Sequence, residues 1–358
     1  MGLRVVHCGT GLTGREALRA IIEDPALELV GQYVSTPEKV DRDAGELCGL
    51  PATGIVATGD LDSLLDLHAD CFCYAGNVVG RERAAVEEIA RFLRAGTNVV
   101  TFALVAMTYP PTSSPELREI IDEACAAGGS SFYASGTDPG ALAMNVPASL
   151  LSMAGRVTRY RMQLFAMNIA AAYPVADVLR GSMGFGMPDG TIPPRVQGGV
   201  VERDWTPDVR FIADLMGCAL DGITLEWQTA CATVDMETPI GTIEAGTIAA
   251  YRWELSGHVA GTPVVSVEYL ATITDDAPMP ETWARLPEGV RSGIGYVIEG
   301  RPGMHAIVSV DPLPDERLNG SIPMTALAAT NAIPAVIAAK PGHLSPTDLG
   351  FYATRRIG

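Results

Sequence analysis

HCGTGLTGREAL (residues 7–18) decides how the chain folds, because Gly9, Gly11 and Gly14 fall in the spacing G-x-G-x-x-G. The motif closes LRVVHCG (3–9), which reads as a buried strand. It opens REALRAIIED (15–24), an amphipathic helix with Ala17, Leu18, Ile21 and Ile22 on one face. LELVGQYVS (27–35) is the next strand, so the loop lies within a βαβ unit. In that setting the first glycine permits a tight turn, the second lets the backbone approach a pyrophosphate, and the third lets helix and strand pack closely. The helix N-terminus then faces the anion. The expectation is a dinucleotide cradle made by Gly9, Thr10, Gly11, Leu12, Thr13, Gly14 and Arg15.

Working outward, the strand–helix alternation continues. GIVATG (54–59) is a third strand, LDSLLDL (61–67) a short helix and ADCFCYAG (69–76) a strand. RERAAVEEIARFLRAG (81–96) is a helix ending at Gly96, NVVTFA (98–103) a fifth strand, PELREIIDEACAAGG (115–129) a helix and SSFYASG (130–136) a strand. Strands alternating with helices imply a doubly wound parallel sheet. After Asn145 the pattern changes to strands with hairpin-type connections: 158–167, 223–234, 246–274 and 295–310. Tyr251 to Leu255 and Val265 to Tyr269 alternate as antiparallel strands with one wet face do. YPVADVLRGSMGF (173–185) and VRFIADLMGCAL (209–220) read as helices among them. PMTALAATNAIPAVIAAKPG (323–342) reads as one apolar helix with a proline near its middle. The fold class is therefore α/β: an N-terminal Rossmann domain over 1–142 and an α+β domain on a mainly antiparallel sheet over 143–319. A C-terminal helix and tail over 320–358 return to the first domain.

Composition excludes several function classes. Of 358 residues 47% are hydrophobic and 19% charged, which argues against disorder. A formal charge of −17 argues against wrapping nucleic acid or docking on an anionic membrane. A start leading straight into a strand predicts no signal peptide, and the absence of an unbroken apolar run predicts no transmembrane helix. The seven scattered cysteines read as reduced thiols of a cytoplasmic protein, with Cys71 and Cys73 on one face of a strand. Five histidines without ligand spacing predict no metal. The second domain's open sheet face predicts a homodimer.

The end of the second strand bears on cofactor choice. Its slot reads Gln32-Tyr33-Val34-Ser35-Thr36, with no carboxylate to hold a ribose 2′-hydroxyl. Ser35, Thr36, Lys39 and Arg15 can donate to a 2′-phosphate, which favours NADP and leaves NAD open. Gly76 and Asn77 after the fourth strand, and Phe102 and Ala103 after the fifth, are the further cofactor candidates.

The glycine loop followed by Arg15-Glu16, VSTPEKVDRDAGEL (34–47), GTDPG (136–140) and NAIP…PG (331–334, 341–342) resemble the dihydrodipicolinate reductase-like superfamily. The resemblance covers essentially the full chain and points to the branch of 2,4-diaminopentanoate dehydrogenase and the native amine dehydrogenases. It implies hydride transfer between nicotinamide and a C=N or C=O carbon, by reductive amination or its reverse. It also implies a glutamate just after the fifth strand, where this chain has Leu104 and Val105 instead. Leu104, Val105, Met107 and Tyr109 then form an apolar wall suited to a small, rather apolar substrate. The proton donor must come from elsewhere: Asp138, Asn168, Tyr173 and His305 are the candidates, with Tyr109 as lid or acid. Two alternatives stay open, a ketone or alcohol dehydrogenase using Tyr173 or His305, and a non-catalytic dinucleotide sensor.

Overall fold

The computed structural model describes residues 2–288, 290, 292–311 and 320–356. The chain divides into two compact units, Met1–Ala141 with Ser321–Gly358, and Leu142–Gly320.

The first unit is built on a seven-stranded sheet in which every neighbouring pair is parallel. Its strands are β1 (Leu3–Cys8), β2 (Leu27–Tyr33), β3 (Ala57–Thr58), β4 (Cys71–Tyr74), β5 (Asn98–Thr101), β6 (Ser131–Ala134) and β13 (Gly342–Leu344). The order β13-β6-β5-β4-β1-β2-β3 reverses direction at β1, and the switch point lies between β1 and β4. Each face of the sheet is covered. On one face Val5, Cys71, Cys73 and Val100 pack with Ala17 and Ile21 of α1 (Leu12–Glu23) and with Ala326, Ala329, Ile333 and Val336. On the other, Val6, Phe72, Val99 and Phe132 pack with the helices Glu82–Arg94 and Pro115–Gly128, where Phe72 stacks on Phe92 at 4.0 Å. Cys71 and Cys73 do share a face.

The C-terminal segment departs from the sequence expectation. It forms two helices, Ser321–Thr330 and Ile333–Ala338, and Pro334 sits in the first turn of the second. A proline there loses no hydrogen bond that the helix would otherwise make. The stretch Ser321–Ala338 is long and apolar enough to cross a membrane by length and composition, contrary to the expectation of none. Here its apolar side chains join the core beside β1 and β5, and the chain then supplies the edge strand β13. The tail is fixed by Arg355, whose Nη2 lies 2.6 Å from the buried Asp24 carboxylate, and by Arg356, which donates to the Ala20 carbonyl.

The second unit carries β7 (Arg156–Ala166), β8 (Gly222–Cys231), β9 (Ile248–Val259), β10 (Thr262–Thr272), β11 (Gly293–Arg301) and β12 (Met304–Ser309). They form one sheet in the order β12-β11-β7-β10-β9-β8, antiparallel except for the β10–β7 pair. The helix Val200–Leu215 packs on β9 and β10. It begins nine residues before the predicted start at Val209 and runs through Pro207. An interior proline costs about 3 kcal/mol. Val201, Val209, Phe211 and Ile212 are buried along it, and at about 1.5–3 kcal/mol per buried side chain they outweigh that cost. On the opposite face Arg159, Arg161, Gln163, Arg252, Glu254, Glu268 and Glu299 form a ladder of ion pairs and hydrogen bonds across four strands.

Candidate functional site

The carboxyl ends of the parallel strands in the first unit carry the candidate site. Gly9 has φ +94°, and a Cβ there would stand 2.4 Å from the Ala75 carbonyl oxygen. A Cβ on Gly14 would stand 2.6 Å from the Gly9 oxygen. Both positions exclude any side chain, so the turn packs against β4 and its own helix. Gly11 differs: nothing lies within 4 Å of where its Cβ would be. It is the N-cap of α1 with no side chain capping the helix, so the first-turn N–H groups face open space. That arrangement fits a pyrophosphate held by backbone donors.

Lys39 ends the short turn Pro37–Lys39 and folds back onto this loop. Its ammonium lies 3.0 Å from both the carbonyl and the hydroxyl oxygen of Thr10. Ser35, Thr36 and Arg15 are exposed. The stretch 34–47 owes its shape to Asp43, whose carboxylate accepts from the N–H groups of Gly45, Thr53 and Gly54. Those donors outweigh desolvation and hold the Asp43 carboxyl below the usual range. A Cβ on Gly45 would stand 2.0 Å from the Pro51 oxygen.

The loop after β4 is held by a network that the sequence did not reveal. The Arg81 guanidinium donates to the Asn77 carbonyl at 3.0 Å and the Tyr74 hydroxyl at 3.1 Å, and pairs with Glu88. The Tyr74 hydroxyl in turn donates to Glu88 at 3.0 Å. Gly76 lies over the Tyr74 ring, 2.8 Å from where its Cβ would be, and Asn77 is exposed. A lone Arg81 before a helix carries no sequence signal for this role.

After β5 the chain makes a turn, Val105–Met107. Residues three apart in such a turn share a face. Leu104 and Met107 accordingly point into the core with Ile121, Cys125 and Phe132, and Tyr109 is buried as well. The expected wall of Leu104, Val105, Met107 and Tyr109 thus reduces to Val105, with Phe102 and Ala103 also half-exposed. No carboxylate stands on this turn. Asp138, in the turn after β6, is half-buried, and the neighbouring Thr137 hydroxyl bonds Thr325 at 2.7 Å.

In the second unit Asn168 takes a left-handed conformation, φ +51°, just beyond β7. Its amide nitrogen donates to Asp275 at 2.8 Å, and its backbone N–H bonds the Thr272 hydroxyl. Tyr173 follows on the same segment and is half-exposed. His305 is elsewhere. It is exposed on the edge strand β12, opposite Val297, which pairs with Arg161. Arg161 precedes Ala166 by five residues, so His305 stands roughly 16 Å back along the sheet from the Asn168 end. The sheet register separates the three side chains into two groups.

The seven cysteines are free thiols, and burial raises Cys8, Cys71, Cys73 and Cys125 well above neutrality, so none of these is a thiolate nucleophile. Among the described residues no cluster of three His, Cys, Asp or Glu side chains could hold a metal.

Known proteins match this architecture along its whole length. An amine dehydrogenase of Streptomyces virginiae is 31% identical over 361 residues, which covers 99% of this chain and 99% of the relative. The chain belongs to the amine dehydrogenase branch of the dihydrodipicolinate reductase-like superfamily. Within that family, the dihydrodipicolinate reductase N-terminus matches residues 3–73, and the 2,4-diaminopentanoate dehydrogenase C-terminal domain matches residues 186–355. The fold is shared with the amine dehydrogenase of Mycobacterium smegmatis, at a TM-score of 0.75 and 22% identity over 99% of this chain and 98% of that one. A probable dehydrogenase from Thermotoga maritima superposes less closely, at 0.56 and 14% identity over 97% and 92%. Family and cradle together make this an NAD(P)-dependent oxidoreductase.

Proposed function

We propose that the protein moves a hydride between a nicotinamide dinucleotide and the C=N or C=O carbon of a small, rather apolar substrate, an amine or imine by analogy with its family. The observation that carries this reading is the cradle, where Gly9 and Gly14 admit no side chain and Gly11 leaves its Cβ space open. Bound there, the nicotinamide supplies or accepts the hydride. The protein's part is to hold the pyrophosphate on the α1 N-terminus, orient the reactive carbon, and manage one proton. NADP is the favoured cofactor, because Lys39 is held at Thr10 and no carboxylate ends β2 to repel a 2′-phosphate.

Tyr173 is the proposed acid, with Asn168 and Asp138 as supporting groups. His305, displaced along the sheet, is dropped from that role. The carboxylate-free turn after β5 also favours a second reading, a carbonyl or preformed-imine reductase that does not use ammonia. We further propose a cytoplasmic homodimer formed through the open sheet face of the second unit. Light scattering that returned a monomer would remove the dimer.

NADPH and NADH consumption across a panel of ketones and aldehydes, with and without ammonia, tests the function. Turnover only with ammonia supports an amine dehydrogenase, and turnover without it supports the second reading. Tight NADPH binding with no turnover on any carbonyl would leave a dinucleotide sensor and end the oxidoreductase proposal.

A further inference from the structure

We propose that His343, on the edge strand β13, is a positioning residue for the turn that follows β5 and thereby for the environment of the nicotinamide. The proposal rests on the oxidoreductase reading given above. The carbonyls of this turn are satisfied one by one. Leu104 and Val105 accept from the N–H groups of Met107 and Thr108, and Ala106 accepts from the Ser113 hydroxyl at 3.5 Å. The Met107 carbonyl accepts from His343 Nε2 at 2.9 Å, across 236 residues of chain. A carbonyl can only accept, so Nε2 carries the hydrogen. The ring is held in place by the edge of Phe132, with centroids 5.0 Å apart at 80°, and by the parallel pairing of His343 with Phe132. Its Nδ1 is buried without a hydrogen-bond partner among the described residues. Burial therefore keeps the imidazole neutral, although Asp122 and Asp348 would favour its charge and Arg118 would oppose it.

Beyond the apolar packing beside β5, the C-terminal segment thus holds the turn itself by a hydrogen bond from one side chain. In a doubly wound sheet, ligands bind outside the carboxyl ends of the strands, so this turn stands at the reactive end of the cofactor. Val105, half-exposed on the same turn, takes its direction from how Met107 is pinned. Nothing about a histidine in PGHL (341–344) signals this, because its partner is a backbone atom.

Two substitutions in the full-length protein separate positioning from mere support. His343→Gln keeps a donor near the Nε2 position, whereas His343→Leu keeps bulk and removes the donor. The Leu variant is expected to bind NADPH within about twofold of the parent, because the cradle is untouched, yet to lose on the order of tenfold in kcat/KM. The fluorescence emission of bound NADPH should shift in the Leu variant and return in the Gln variant. Equal kinetics and emission in parent and Leu variant would overturn the proposal. Equal losses in both variants, tracking a lowered melting temperature, would overturn it too. If the parent turns over no substrate, the function fails, and the emission shift still tests His343.

Discussion

Gly11 and Gly9 belong to one motif but do different work, and substitution should expose the difference. Gly9→Ala drives a Cβ into the Ala75 carbonyl at a positive φ, so misfolding and loss of cofactor are expected together. Gly11→Ala meets no protein atom. Its melting temperature should stay unchanged while NADPH affinity falls by about tenfold or more, since the new methyl occupies ligand space. Calorimetric titration alongside thermal unfolding reads both. Lys39→Ala should weaken NADPH by on the order of tenfold, the scale of one charge-assisted contact, and leave NADH nearly unaffected. Equal weakening of the two cofactors would show that Lys39 braces Thr10 rather than reading a phosphate. The places of Gly9, Gly11, Gly14 and Lys39 at this loop were legible in the sequence because they follow from local spacing. Arg81, Tyr74, Glu88 and His343 were not, because their partners are brought together only by folding.

Elements follow the same division. The main strands and helices of the first unit up to Ala134 stand where alternation and periodicity predict them, as with the helix Pro115–Gly128 closed by the left-handed Gly129. Two prolines misled in opposite directions. Pro207 precedes the helix expected from Val209 yet lies inside one whose buried face outweighs its cost, and Pro334 is expected near the middle of one helix yet starts a new one. The turn after β5 gave its composition but not its facing. Alternate apolar residues look equivalent in ALVAM, whereas the turn sends Leu104 and Met107 to the core and leaves Val105 outward. Val105 is thus the place where a carboxylate can be restored without opening the core. Val105→Glu should raise ammonia-dependent NADPH consumption by up to about 10²-fold, the lower range for a positioned acid–base group. An unchanged rate with ammonia would mean that the turn does not face the reacting carbon.

For the molecule as a whole, buried neutral histidines and paired carboxylates make stability acid-sensitive. Gln32 donates its amide to the Tyr33 carbonyl, so its oxygen faces His7 and Nδ1 of His7 must donate. Burial, partly opposed by that bond, lowers His7 from 6.5 to about 4. The unfolded chain therefore binds a proton that the folded one refuses, and stability falls as pH drops from about 6.5 towards 4, by up to about 3 kcal/mol from this group. His343 acts in the same direction. The Asp24 carboxyl, despite desolvation, is held low by Arg355 and adds a loss at still lower pH. Melting temperature followed by circular dichroism should decline through that window, and a flat profile between pH 7 and 4.5 would contradict the assignment. Arg355→Ala leaves the buried Asp24 carboxylate only the Ala26 N–H and Arg356 at 3.8 Å, and should cost about 1.5–3 kcal/mol, loosening the tail that carries β13. The central claim is hydride transfer from a dinucleotide held by the glycine cradle, and it is tested most directly with NADPH carrying two deuterons at C4 and the best carbonyl substrate of the panel. Deuterium is predicted on the product carbon, formed more slowly at limiting NADPH in Gly11→Ala, in step with its weaker cofactor binding. Product without deuterium, or NADPH left unconsumed by every substrate, would contradict it.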